Sequence, residues 1–294
     1  MTVAPTDFTI AVPAAAPRCP WSATVRRHPT IAIGAALLAI MAAMAIFAPY
    51  LGTVDPQAID PIHRLQWPSA AHWFGTDSLG RDVYSRTIYG ARVSLIIGFS
   101  VAALATVLGL AIGLVTGYSR WTDAIVMRIM DGLMSIPSIL IAIALMALTG
   151  ASMKNVIIAI TVGEVPRFTR LVRSLVLSLR EMPYVEAAVA SGTRSVRILW
   201  RHILPNTLPP LIVQATFTAA SAMIVEAYLS FLGVGTPPII PSWGNIMAEA
   251  QSLFLIAYYL ILFPGIMLSI TVLAVNLLGD GLRDALDPRL SRRM

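Results

Sequence analysis

Six long apolar runs constrain this chain more than any other feature of it. They cover residues 31–51, 93–118, 124–148, 156 to about 177, 208 to about 229, and 256–278. Crossing ~30 Å of hydrocarbon takes ~20 helical residues, and each run reaches or nearly reaches that length. Helices are the expected form, because an open strand cannot satisfy its backbone polar groups in lipid. A transmembrane barrel would show alternating segments of ~10 residues, and none appear. The composition agrees: of 294 residues, 57% are hydrophobic and 12% charged. A soluble globule could not cover so much apolar surface. Disordered chains are excluded for the same reason. A disulfide scaffold is excluded by the single Cys19, which also lacks any metal-ligand spacing. The expected fold class is therefore all-α: a polytopic membrane protein with six transmembrane helices.

The charges set the orientation. With a cytoplasmic N-terminus, 16 of the 21 Lys and Arg fall on the inner side and five (Arg64, Arg81, Arg86, Arg92 and Lys154) on the outer side. That is the positive-inside pattern, with both termini cytoplasmic. The inner count includes Arg167, Arg170 and Arg173, which together with Glu164 make the fourth run the weakest. The net charge of +6 points to no nucleic-acid partner, because the bases sit between apolar runs rather than on a polar domain rich in aromatics. The first 27 residues do not read as a signal peptide: the apolar run starts only at Ile31, and Phe47-Ala48-Pro49 is not a small-x-small cleavage site.

Several residues speak for a packed bundle. Gly109, Gly113 and Gly117 recur every four residues in the second run, a spacing that lets two helix backbones approach closely. Pro137 interrupts the third run and Pro264-Gly265 the sixth; each proline removes a backbone hydrogen bond and can kink its helix. Arg128 and Asp131 stand one turn apart, a spacing that suits a local ion pair.

The most informative inner segment runs from Pro183 through Glu186, Ala187, Ala188, Ala190 and Gly192 to His202, Leu204, Pro205 and Asn206. Pro183 suits the first turn of a helix, and Glu186 in that turn complements the helix dipole. The alanines give a low-profile helix that fits a partner's groove, and Gly192 permits a backbone angle other residues resist. Physics alone leaves docking on a partner and a plain return loop both open.

This segment resembles the EAA loop of ABC importer permeases, with Glu186, Ala187, Ala188, Gly192, Leu204 and Pro205 matching residue by residue. His202 stands where many members carry an apolar residue, and His-Ile-Leu-Pro-Asn is similar to the peptide-importer branch. Three more segments are similar to the second, C-type permease of dipeptide, oligopeptide and nickel importers. One is the outer stretch holding Gly75, Asp77, Gly80, Arg81, Asp82, Ser85 and Arg86; the others are residues 229–245 and 276–288. Together the resemblance covers about residues 73–290 and none of the first ~30. It implies the type I ABC importer permease fold, with 1–30 as a cytoplasmic tail, 31–51 as the first helix and 52–92 as an external loop with an amphipathic segment. Residues 93–278 would form a five-helix core carrying a coupling loop at about 180–206, and 279–294 a second cytoplasmic tail. It also implies the bacterial inner membrane as location. The implied partners are a second permease, two ATPase subunits and an external binding protein. No cofactor is expected on this chain; ATP and Mg would sit on the ATPases. The implied cargo is a dipeptide or oligopeptide, with glutathione-like peptides and nickel chelates as alternatives.

The residues themselves exclude other classes. The only lysine, Lys154, follows Met153, so no P-loop Gly-Lys exists to hold phosphates. An intramembrane enzyme would need a constellation at one depth. His28 and His202 are expected inside, His63 and His72 outside, and Asp131, Glu164 and Glu226 fall on three helices with no motif. An ion-coupled transporter or channel could use those carboxylates, yet it leaves the docking loop unexplained. Asp77, Arg81, Asp82 and Arg86 alternate in sign and are expected to pair locally on a short amphipathic helix at the outer face. That helix would be either a contact surface for the binding protein or a self-neutralised cap. His63 and His72 lack a firm metal-ligand pattern.

Overall fold

The computed structural model describes residues 29–286. In chain order the main helices are α1 (Pro29–Ile46), α2 (Val83–Tyr118), α3 (Arg120–Met134), α4 (Ser138–Thr149), α5 (Met153–Arg180), α6 (Pro183–Ala190), α7 (Ser195–Ile198), α8 (Leu204–Phe231), α9 (Trp243–Glu249) and α10 (Tyr259–Leu286). A π-helical turn, Leu199–Ile203, joins α7 to α8. Among the described residues the only extended pairing is one isolated bridge, Thr76 to Asp82.

Four helical stretches are long and apolar enough to cross a bilayer: α1, α2, the α7–α8 stretch and α10. The third expected run is not one straight helix. It breaks at residues 135–137 into α3 and α4, bent by 87°, which make a fifth span only if the two are counted as one crossing. Pro137 is the cause, since it cannot continue the backbone ladder and holds the residue before it out of helical geometry. The expected count of six then rests on α5, which is 28 residues long but carries four charges in its inner part. Pro264 behaves differently: it sits in the second turn of an unbroken α10.

Two boundaries move. The external loop expected at 52–92 gives way to helix at Val83, because Asp82 caps α2 by accepting from the Ser85 amide at 2.8 Å. The tail expected at 279–294 is helical through Leu286; residues 287–294, and residues 1–28 of the tail expected at 1–30, lie outside the described residues.

Helix α2 is the central post, with α5 along one side and α8 and α1 on others. Its glycine stripe explains the α2–α5 seam. A Cβ placed on Gly113 would come within 2.5 Å of the Val172 side chain, and one on Gly117 within 2.6 Å of Val176; Gly109 meets Phe168 still more closely. Real side chains cannot stand there, so the two backbones nearly touch. Gly113→Val is expected to cost about 1–3 kcal/mol through overpacking, read as a lower melting temperature in detergent. Gly132→Ala, whose Cβ meets nothing within 4 Å, should leave it unchanged or raise it. The inner end of the bundle packs Phe168, Val172 and Val176 of α5 against Val185 of α6, Ile198, Ile203 and Leu211. The outer end packs Val83 against Ala250, Ala257, Tyr259 and Leu260.

Candidate functional sites at the two ends of the bundle

The residues singled out from the sequence gather in two places, at opposite ends of α2. The outer group is not an amphipathic surface helix. Gly75 to Asp82 form tight turns, and only Val83 onward is helical. Gly75 and Gly80 take φ of +78° and +79°, and a Cβ on Gly80 would collide with the Asp60 backbone, so both turns depend on glycine. The charges point inward. Arg86, whose side chain is 2% exposed, donates from Nη1 to Asp77 Oδ2 at 2.6 Å and Glu249 Oε2 at 2.9 Å, and from Nη2 to Glu249 Oε1 at 3.1 Å. Arg81 Nε donates to the same Asp77 oxygen at 2.6 Å, and Arg81 Nη2 to Glu249. Asp82 takes no part in this quartet. Its Oδ2 accepts from the Ser85 amide and, at 2.6 Å, from Ser85 Oγ, and its Oδ1 lies 3.1 Å from His72 Nδ1. Two cations and two anions thus neutralise each other inside the protein and tie the outer loop to α2 and α9. Such burial fits the structural cap rather than an open contact surface.

Glu249 was not legible as a member. It is the only charged residue between 230 and 255, and a lone acid in a base-free segment is the one signal that could have raised it. A second polar knot sits nearby. Glu226 Oε1 accepts from Ser230 Oγ at 2.8 Å, Ser242 Oγ at 2.9 Å and Thr236 Oγ1 at 3.3 Å. Asn245 Nδ2 donates to the carbonyl of Thr236 at 3.1 Å, and Trp243 Nε1 to that of Thr87 at 3.0 Å. These bonds fold residues 229–245 back onto α8 and α2. At the surface, His63 Nδ1 lies 2.7 Å from Asp60 Oδ2, and that bond holds the Asp60 carboxyl below its ordinary value. Among the described residues no three His, Cys, Asp or Glu side chains gather as a metal site.

At the inner end, α6 rests on the bundle through Val185, which is 2% exposed. Its opposite face leaves Glu186, Ala187 and Val189 open. Gly192 has φ +76° and stops the helix. Leu204 and Pro205 begin α8 beyond α7 and the π-turn, so the two halves of the motif sit on separate elements. They are linked by Tyr184, His202 and Asn206. The Tyr184 and His202 rings lie 6.2 Å apart, and Asn206 Nδ2 donates to the His202 carbonyl at 2.6 Å and approaches Tyr184 Oη at 3.5 Å.

The charges in α3 and α5 pair between helices rather than within them. Asp131 takes Arg170, Nη2 to Oδ1 at 2.6 Å, and not Arg128. Arg173 holds Asp123 through both Nε and Nη2. The exception is Glu164, which takes Arg167 at 3.0 Å one turn on. The three carboxylates nearest the membrane therefore never meet: Asp131, Glu164 and Glu226 each have separate partners.

The family description "Binding-protein-dependent transport system inner membrane component" matches residues 105–292, more than half of the chain. The "N-terminal TM domain of oligopeptide transport permease C" matches residues 22–68, which extends the likeness upstream of the segments noted in the sequence. A probable peptide ABC transporter permease protein from Sinorhizobium fredii is 54% identical, over 91% of this chain and 92% of that protein. A dipeptide transport system permease protein from Alkalihalophilus pseudofirmus is 44% identical over 90% and 88%. A glutathione transport system permease protein from Pectobacterium atrosepticum is 42% identical over 92% and 90%. Among solved structures, the MetNI methionine ABC transporter in inward-facing conformations matches with a TM-score of 0.56 at 22% identity, covering 69% of this chain and 97% of that one.

Proposed function

The chain belongs to the binding-protein-dependent transport system inner membrane component family, and from that premise we propose that it serves as a permease subunit of an ABC importer of peptides. It is a transport subunit and not an enzyme, and it works with an ATPase and a binding protein. It lies in the inner membrane as a multi-pass protein. We take the full assembly to be this permease, a second related permease and two ATPase subunits, with both termini of this chain cytoplasmic and α5 as the sixth span. ATP and Mg belong to the ATPase subunits.

The observation that carries the mechanistic reading is the inner helix α6. It is pinned from below by Val185 and presents Glu186, Ala187 and Val189 outward. Small side chains on a firmly anchored helix make a knob that a groove on an ATPase can grip. Val185, Ile198 and Ile203 share one packed cluster with α5 and α8, so a push on α6 moves the inner ends of two spans together. Close-packed interiors transmit such displacement rather than absorbing it. Dipeptides fit the relatives named above; glutathione and nickel chelates are competing cargoes.

The test is reconstitution. The permease pair, its ATPases and its binding protein in liposomes should take up labelled dialanine only with ATP, binding protein and all subunits present. Uptake by the purified chain alone would overturn the reading in favour of a passive or ion-coupled pathway. Calorimetry of the binding protein against dialanine, glutathione and nickel decides the cargo.

A further inference from the structure

The helix that leaves the coupling loop is built irregularly. Between α7 and α8 the chain makes a π-helical turn, Leu199–Ile203, and the Leu204 amide reaches back to the Leu199 carbonyl. Such turns are rare and are frequent at functional sites. Helix α8 then carries Pro205 in its first turn and Pro209 and Pro210 within the helix. Pro205 suits a helix start. Pro209 and Pro210 do not suit an interior: having no amide hydrogen, they leave the carbonyls of Pro205 and Asn206 without the donor expected four residues on. Prolines inside a helix are where helices bend. Among the described residues, no other helix joins a π-turn to a pair of interior prolines.

The two sides of this stretch differ. On one side Ile198, Ile203 and Leu211 are buried in the cluster that holds Val185 of α6. On the other side a cavity of about 610 Å³ separates α8 from α10, lined by Asn206, Pro209, Pro210 and Val213 on α8 and by Arg283 and Leu286 on α10. Farther from α6 the two helices close up: a Cβ on Gly279 would come within 2.3 Å of Thr216 Oγ1. They are therefore in near contact at Thr216 and diverge about one to two turns nearer α6. Beyond that crossing α8 is held to α2, where a Cβ on Gly98 would come within 2.7 Å of the Met223 side chain. A push on α6 thus reaches α8 through packed side chains on one face, while the opposite face has room to move into.

We propose that residues 199–210 are a hinge. When α6 is pushed, the inner end of α8 swings about the Thr216–Gly279 crossing and narrows the cavity beside α10. The proposal rests on the reading of α6 as the docking helix. Each interior proline breaks one rung of the hydrogen-bond ladder and supplies the bend. The wide π-turn absorbs the change of direction between α7 and α8, and the part of α8 packed on α2 keeps its place.

The test uses the complete reconstituted complex. The chain has a single cysteine, Cys19, so Cys19→Ser gives a thiol-free parent. Spin labels on Val213→Cys and Leu286→Cys then flank the cavity. Their separation, read by double electron–electron resonance, is expected to shorten by about 2 Å or more, the scale of helix shifts in switching proteins, when the complex is held with ATP and vanadate. Pro209→Ala with Pro210→Ala restores both amide donors and installs a better helix former. That variant should assemble, melt no lower than the parent and hydrolyse ATP, yet lose both the shortening and most dialanine uptake. Gln214→Trp fills the cavity without touching a proline and should likewise lose most uptake, which covers an alanine variant that fails to assemble.

A separation that ATP leaves unchanged in a parent complex that imports dialanine would overturn the hinge. So would parent-like uptake by the alanine variant, or the same shortening in that variant and the parent. Loss of the second permease from the Gln214→Trp complex would show that the cavity is filled by that subunit, and would overturn it too. Uptake by the parent complex that needs no ATP would instead remove the docking reading of α6, and that failure is visible before any proline is changed.

Discussion

Gly192→Pro is expected to insert and accumulate like the parent chain and to lose ATP-dependent peptide uptake by about tenfold or more, because the turn behind the docking helix cannot form. The reason is local. Gly192 holds φ +76°, and its amide donates to the Val189 carbonyl at 2.9 Å while that of Thr193 donates to Ala188 at 3.0 Å. This is the left-handed glycine cap that closes many helices. Proline fixes φ near −65° and has no amide hydrogen, so it fails on both counts. The chain would leave α6 in another direction, and α7 would no longer bring Ile198 into the cluster with Val185. Nothing lies within 4 Å of the missing Cβ, so sterics make no contribution. Gly192→Ala should then cost only the left-handed penalty, about 1–2 kcal/mol, and Gly192→Asn less, since asparagine accepts that region. Uptake should rank glycine, asparagine, alanine, proline, with surface-exposed protein equal in all four. ATP hydrolysis by the Gly192→Pro complex that proceeds without uptake would locate the defect in transmission; normal uptake would remove α6 from that role.

The extent to which this molecule was legible depended on what each signal measures. Apolar runs report contact with lipid, and four of the six fall on helices long and apolar enough to span a membrane. They placed helix ends poorly: α2 starts at Val83, ten residues before its apolar run, because Ser85, Arg86 and Thr87 are helical but buried in protein. Local spacing was sound where partners are near. Arg81 does pair with Asp77 four residues away, and the glycine stripe does mark a close seam. Spacing failed where the partner lies far along the chain. Glu249 reaches Arg81 and Arg86 from across the bundle, and Asp131 prefers Arg170 to its neighbour Arg128. A proline in the sequence told of a break at 137 but not of its 87° angle, which depends on what α3 and α4 pack against. The motif from Glu186 to Pro205 was legible as a string, whereas the contacts among Tyr184, His202 and Asn206 are ones that only the folded chain creates.

Arg86→Ala is expected to be the most damaging single change outside the docking region. The guanidinium is almost fully buried and bridges Asp77 to Glu249. Truncation leaves one base, Arg81, against two acids, of which Asp77 is buried and Glu249 a quarter exposed. Removing one partner of a buried ionic cluster costs about 3–5 kcal/mol, since the remaining charges keep their desolvation penalty and lose their compensation. Against a total stability of about 5–15 kcal/mol for a typical soluble domain, such a loss at the outer end should free the loop from α9. The expected result is less protein in the membrane, a lower melting temperature in detergent and faster proteolysis in the 52–82 segment. Two further variants separate charge from packing. Arg86→Lys keeps the charge but cannot span both carboxylates, so it should recover part of the loss. Arg86→Met with Glu249→Gln leaves Arg81 and Asp77 as a matched pair, and should be more stable than Arg86→Met alone. If the double variant is no better, the arginine acts through its volume and the ionic account of the outer cap fails. On the proposed orientation, with both termini cytoplasmic, a cap held this way also explains how the outer loop can carry four arginines without opposing it. Two of those arginines are cancelled inside the protein, and the positive-inside balance is set by the bases that remain in water.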